Sequence, residues 1–170
     1  MSKPTQPFRE EHRYLLTYVE KLLRVADMVG QVPLAPILQG VDEVYDFLTH
    51  HLIPHASAEE KILYPVVGKA LGAAEATATM SREHVEIVRL TEQLADLRAQ
   101  LVTEPLNQYR KNEMRRLLYG LYTLLRTHFA KEEEVYLPVL DARVTGEEMQ
   151  LVFERMEVAA KEASKIHAAV

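Results

Sequence analysis

Six side chains in this sequence have the types and the spacing to hold metal ions. The segment His55-Ala-Ser-Ala-Glu59-Glu60 recurs as His128-Phe-Ala-Lys-Glu132-Glu133, and each copy runs on to a proline, Pro65 or Pro138. A fainter pair accompanies them: Glu11-His12 opens one apolar helical pattern and Glu83-His84 opens another. His12 and His84 are 72 residues apart, and His55 and His128 are 73. Four imidazoles and two carboxylates repeated at matching distance describe a two-metal site built by two similar halves.

The spacing itself makes the argument. On an α-helix, residues four apart share a face, about 40° off and roughly 6 Å apart along the axis. His55 and Glu59 therefore point one way, as do His128 and Glu132, and both pairs continue an apolar stripe. A carboxylate facing the interior is costly unless it is paired or metal-bound. The simplest arrangement gives each of two ions two His and lets Glu59 and Glu132 bridge. Nitrogen and oxygen donors without thiolate suit iron or manganese, while the affinity order alone leaves zinc and copper open. Six donors leave positions free on two six-coordinate ions, which admits water, dioxygen, peroxide or nitric oxide. A ferritin-like bundle would instead place Glu three residues before its His. Those positions hold Arg9, Leu52, Ser81 and Leu125, which disfavours that type.

Other polar residues near the motif carry weaker expectations. His51 lies one turn before His55 as an extra ligand or a hydrogen-bond donor behind the ligands, but its counterpart in the second copy is Leu124. His50 and His167 read as solvent-facing. Glu11, Glu60, Glu83 and Glu133 each sit about 100° around the helix from a ligand candidate, so they read as surface groups or as partners behind the ligands. Tyr64 and Tyr136 are expected to pack with hydrogen-bonded hydroxyls, and Met80 to fill core space.

The elements that must position these residues are helical. Apolar residues recur at three and four, and β-branched runs of period two are missing. Helices are expected over about 7–29, from about 36, over 76–102 and over 106–136, with Gly30 as a stop. Pro54 should kink the second helix, Pro65 should end it or bend it again, and Pro138 should stop the fourth. Residues 66–75 read as a turn. A fifth helix is expected from the capping-box pattern Thr145-Gly-Glu-Glu148 to the C-terminus, with Met149, Val152, Phe153, Met156, Ala160, Ala163 and Ile166 on one side. The fold class is therefore all-α: an up-down-up-down four-helix bundle with an additional C-terminal helix. One domain spans 1–170, with the bundle over 8–140 and the added helix over 145–170.

Composition narrows the function. A chain of 170 residues with net charge −5 and interspersed signs lacks the basic stripe that nucleic acid calls for. The absence of Cys excludes disulfides, iron–sulfur clusters and thiolate zinc sites. No apolar run of about 18 residues exists, so no membrane span is expected. The opening Met-Ser-Lys-Pro-Thr-Gln-Pro has no apolar signal stretch, and a cytoplasmic location is the expectation.

His12, His55-x-x-x-Glu59, His84 and His128-x-x-x-Glu132, with Leu-Tyr-Pro65 after the first pair, resemble the hemerythrin-like, HHE cation-binding domains over about residues 8–140. The resemblance implies a four-helix bundle holding a non-heme di-iron centre, oxo- or hydroxo-bridged. Oxygen-carrying hemerythrins have a second His four residues from the third-helix ligand, where this sequence has Met80 and Val88. Their last carboxylate is an Asp five residues after a His; here it is Glu132 at four, with Glu133 at five. The set is closer to family members linked to iron or oxygen sensing, peroxide breakdown, or repair of nitric-oxide-damaged iron centres. The repair proteins carry an added Cys-bearing segment, and this sequence has no Cys.

Three functions follow as expectations. The first is a di-iron protein that senses, scavenges or metabolises dioxygen, peroxide or nitric oxide, with manganese or zinc as other occupants. The second is a di-iron enzyme with peroxide-decomposing or oxidase activity, although no separate acid, base or nucleophile cluster backs it. The third is a helical interaction module with a mainly structural metal, whose fifth helix mediates a homodimer or partner contact.

Overall fold

The structure, a computed structural model, describes residues 3–167, with side chains through 165. The surface reading of His167 and the inward reading of Ile166 fall on side chains outside the described residues. Five helices follow one another: α1 (Gln6–Met28), α2 (residues 34–71), α3 (Ala78–Gln100), α4 (residues 108–143) and α5 (Gly146–His167). There is no strand among the described residues. Helices α1 and α3 each pack along both α2 and α4, which closes the four-helix bundle.

The helix ends follow local chemistry. Asn107 caps α4 by accepting from the Arg110 N–H at 3.0 Å. The capping box before α5 forms as its sequence predicts. Glu148 Oε2 accepts from the Thr145 N–H at 2.9 Å, and Thr145 Oγ1 accepts from the Glu148 N–H at 3.2 Å. Gly30 follows α1 with φ 80, and Gly72 ends α2 with φ 72, both left-handed.

Pro54 lies inside a continuing helix as expected, but two later prolines do not end theirs. Pro65 does not end α2, which continues to Leu71, and Pro138 does not stop α4, which continues to Arg143. The expected 66–75 turn shrinks accordingly to the residues around Gly72 and a 3₁₀ turn, Ala74–Thr77. A π turn precedes each proline at one fixed offset: Leu48–Leu52 before Pro54, Glu59–Leu63 before Pro65, and Glu132–Tyr136 before Pro138. A proline in an α-helix collides with the carbonyl four residues back and has no N–H to give it. Widening the preceding turn by one residue shifts the ladder off that carbonyl, so the helix passes through.

The core forms two apolar clusters. One holds Leu15, Val19, Leu22, Phe47, Leu94 and Phe129 among others. The second holds Phe8, Leu63, Tyr64, Met80, Leu137 and Met156 among others. Helix α5 lies across the middle of α2 and buries Met149, Val152, Met156 and Ala163. Phe153 meets Phe8 edge-on, with ring centroids 5.2 Å apart. The described part of the α5 stripe thus packs against the rest of the chain.

Candidate metal centre

Between the two clusters lies a polar layer. On α1, His12 falls between Phe8 and Leu15; on α3, His84 falls between Met80 and Ile87; each pair of neighbours belongs to opposite clusters. Helix α2 contributes His55 and Glu59, and α4 contributes His128 and Glu132. All six sequence-predicted residues are buried, none more than 7% exposed, and the bundle brings them together. Both His–Glu pairs keep their four-residue spacing because each π turn begins only at the glutamate.

The imidazoles divide into two pairs. His12, His55 and Glu59 form one compact set of donors, and Glu59, His84 and His128 form another. The bundle thus sets His12 beside His55 rather than His128. Glu59 Oε1 lies 3.0 Å from His55 Nε2 and 3.9 Å from His12 Nε2, while its Oε2 lies 3.3 Å from His84 Nε2. Glu132 Oε2 lies 3.6 Å from His12 Nε2, and its Oε1 lies 3.5 Å from His128 Nε2. Each carboxylate therefore offers one oxygen to each pair. His84 Nε2 and His128 Nε2 are 3.0 Å apart. That is the separation of two donors at right angles on one ion with metal–nitrogen distances of about 2.1 Å.

A ring of four glutamates stands behind the imidazoles. His12 Nδ1 faces Glu133 at 2.9 Å, His55 Nδ1 faces Glu11 at 3.1 Å, His84 Nδ1 faces Glu60 at 2.8 Å, and His128 Nδ1 faces Glu83 at 2.9 Å. A carboxylate only accepts, so each Nδ1 carries the hydrogen and each neutral ring turns its Nε2 lone pair inward. These glutamates therefore act behind the ligands. Glu133 also takes Arg9 at 2.5 Å, and Glu83 also takes Lys131.

Electrostatics reflect this crowding. Burial pushes the Glu59 carboxyl up, but His55 and His84 beside it outweigh that and hold it well below the usual range. Burial pulls His55 down, yet Glu59 and Glu11 raise it well above an ordinary imidazole. His128 is likewise pulled down by burial and raised by Glu132, Glu59 and Glu83 to about 9. With no cation between the carboxylates and the rings, His55 and His128 therefore favour the protonated form.

Other expectations resolve plainly. His51 is exposed, with its ring stacked on Tyr18 at 6.4 Å between centroids. It lies inside the wide Leu48–Leu52 π turn, on the side that faces Tyr18 and solvent. His50 is exposed as expected. Tyr136 donates to the Ala76 carbonyl at 3.0 Å. Tyr64 does more than pack: its hydroxyl donates to Glu132 Oε1 at 3.0 Å and lies 3.3 Å from His84 Nε2. Burial, reinforced by the Glu59 and Glu132 carboxylates, pushes its phenol far above the ordinary value, so it stays protonated. Aligning the two copies gives the missed signal, because the position matching Tyr64 is Leu137.

Residues 3–140 match the hemerythrin HHE cation binding domain. No curated protein and no solved structure matches the chain. No described helix is long and apolar enough to cross a membrane.

Proposed function

Because the chain belongs to the hemerythrin HHE cation-binding family, we propose that its buried polar layer is a non-heme two-iron centre. His12 and His55 hold one ion, His84 and His128 hold the other, and Glu59 and Glu132 bridge. The observation that carries this reading is a set of buried donor atoms with no hydrogen-bond partner: His12 Nε2, His55 Nε2, both Glu59 oxygens and Glu132 Oε2. Leaving such atoms dry and unpaired costs about 1–3 kcal/mol each, and a cation at their meeting point removes the cost. The mixed nitrogen and oxygen donor set fits iron, with manganese or zinc as competitors.

A bound pair supplies electron exchange and free coordination positions for dioxygen, peroxide or nitric oxide. The chain's own residues do the rest. Glu11, Glu60, Glu83 and Glu133 fix the inward tautomer of every imidazole. Phe8, Met80 and Phe129 keep water from the layer. Tyr64 holds a proton against Glu132 at the His128 side. Four His in place of five leave more than one position free, which favours sensing, scavenging or metabolising these molecules over reversible oxygen carriage.

The test is iron content and spectrum. Protein expressed with iron should carry about two ions per chain and show the near-ultraviolet charge-transfer bands of a bridged ferric pair. Fewer than about one ion per chain under iron-replete conditions would sink the reading.

A further inference from the structure

The duplicated halves differ in how they meet solvent. Beside the layer, on the α2–α3 side, lies a pocket of about 570 Å³ lined by Glu60, Tyr64, Pro65, Lys69, Ala74 and Thr77. Tyr64 belongs to both sides of its floor. The ring lines the pocket, stacked on His84 with centroids 5.5 Å apart and planes 6° apart, while the hydroxyl touches Glu132 inside the layer. Glu60 also spans the wall, holding His84 Nδ1 with one oxygen and accepting from Ser81 Oγ at 2.8 Å with the other.

The matching place in the other half is shut. The repeat offsets pair Tyr64 with Leu137, Gly68 with Asp141, and Ser81 with Arg9. Asp141 accepts from the Thr5 N–H at 3.0 Å, the Thr5 hydroxyl at 2.8 Å and Arg9 Nη2 at 3.0 Å, and Arg9 also grips Glu133. Leu137 is fully buried. Gly68 has no side chain to build one. A Cβ there would lie 3.2 Å from the Ala73 carbonyl, so the close approach of the 73–74 segment favours glycine.

We propose that the Tyr64 pocket is the route by which small di- and triatomic metal ligands reach the His84–His128 position, with the Tyr64 ring as its gate. The Arg9–Asp141 clasp closes the symmetry-related route. This rests on the two-metal reading above. Sliding the phenol along the face of His84 breaks one hydrogen bond, to Glu132, and opens the layer to the pocket. No comparable small motion opens the other side, where Arg9 and Thr5 make several bonds together.

Azide is the probe, with its association rate measured by stopped flow on the iron-loaded protein. Ala74→Trp and Lys69→Trp each fill part of the pocket at a lining residue that is neither a ligand nor its supporting carboxylate. Each should slow azide association by about tenfold or more, leaving iron content and the azide band position unchanged. Tyr64→Ala should speed association. Rates within about twofold of the parent for both tryptophan variants, or acceleration by Arg9→Ala with none by Tyr64→Ala, would overturn the route. Parent protein that binds no iron would instead overturn the two-metal reading, and iron content separates the two failures.

Discussion

Removing one of the carboxylates behind the imidazoles should weaken one metal position and spare the other. Glu11 supports His55 from α1, and Glu83 supports His128 from α3, at 3.1 and 2.9 Å. Each accepts the only hydrogen that fixes its imidazole's orientation and tautomer. Losing such a partner typically costs 10- to 100-fold in metal affinity, or about 1.4–2.8 kcal/mol. Glu11→Ala should therefore loosen the His12–His55 ion, and Glu83→Ala the His84–His128 ion. Two structural differences act on the sizes in opposite senses. Lys131 already neutralises much of the Glu83 charge, which lowers its effect. Glu11 is 35% exposed against 22% for Glu83, so water screens Glu11 more. These offset, and both variants belong within the same tenfold range. The assay is chelator titration followed by native mass spectrometry. Each variant should pass through a species with one ion per chain at chelator levels that leave the parent with two. Simultaneous loss of both ions at the parent's midpoint in both variants would refute the division into two pairs.

His55→Ala and His128→Ala should each lose metal and the metal-linked part of thermal stability together, because site formation is tied to folding. Unchanged metal content in either variant would remove that residue from the centre. For the metal-free protein, His128 is raised from 6.5 to about 9. Its contribution to stability is thus fully present below pH 6.5 and lost as pH rises through about 9. The metal-free melting temperature should fall across that window while apparent metal affinity rises, and a flat metal-free profile would count against the shift. Gly40→Ala places a methyl 2.7 Å from a Val25 Cγ at the α1–α2 crossing. Denaturant unfolding should show a loss of about 1–3 kcal/mol, and a neutral or stabilising result would refute the close approach.

Much of the site was legible because its signal is periodic. His55–Glu59 and His128–Glu132 rest on the four-residue step of an α-helix, and that step survives in the fold. Thr145–Glu148 and Gly30 were legible for a similar reason: a cap acts within one turn. The stop expected at Pro138, and the ending that was one alternative at Pro65, failed because the rule for a proline in a helix considers only the α ladder. Whether the chain stops or widens depends on what it gains beyond the proline. Here Val67 and Leu140 lie beyond Pro65 and Pro138 and are buried in the second apolar cluster, so continuing is rewarded. His51 was ambiguous because a four-residue spacing from His55 sets it near the ligand face, while its stacking on Tyr18 is decided only by how α1 and α2 pack. The His12–His55 pairing depends on which helices are neighbours across the layer, which no local pattern states. Arg9 and Asp141 lie in separate helices and meet only when the bundle closes.

The repeat makes the ligand set equal in its two halves, but the surroundings are unequal, and this bears on where an incoming molecule binds. Glu59 receives no hydroxyl, whereas Glu132 Oε1, the oxygen on the His128 side, takes the Tyr64 proton donor at 3.0 Å. A carboxylate oxygen that accepts a hydrogen bond has less electron density to give a cation. In the two-metal reading, Glu132 would therefore hold an ion at His84–His128 more weakly than one at His12–His55, where its Oε2 lacks a partner. The position that would be more weakly held is also the one beside the pocket lined by Tyr64 and Glu60. Tyr64→Phe keeps the ring and removes only the donor, so it separates these two effects. It should strengthen the Glu132 bridge and lower azide affinity at equilibrium by about two- to tenfold, the worth of a hydrogen bond of about 0.5–1.5 kcal/mol. Azide affinity equal to or above the parent's, with both ions retained, would show that the hydroxyl does not bias the pair.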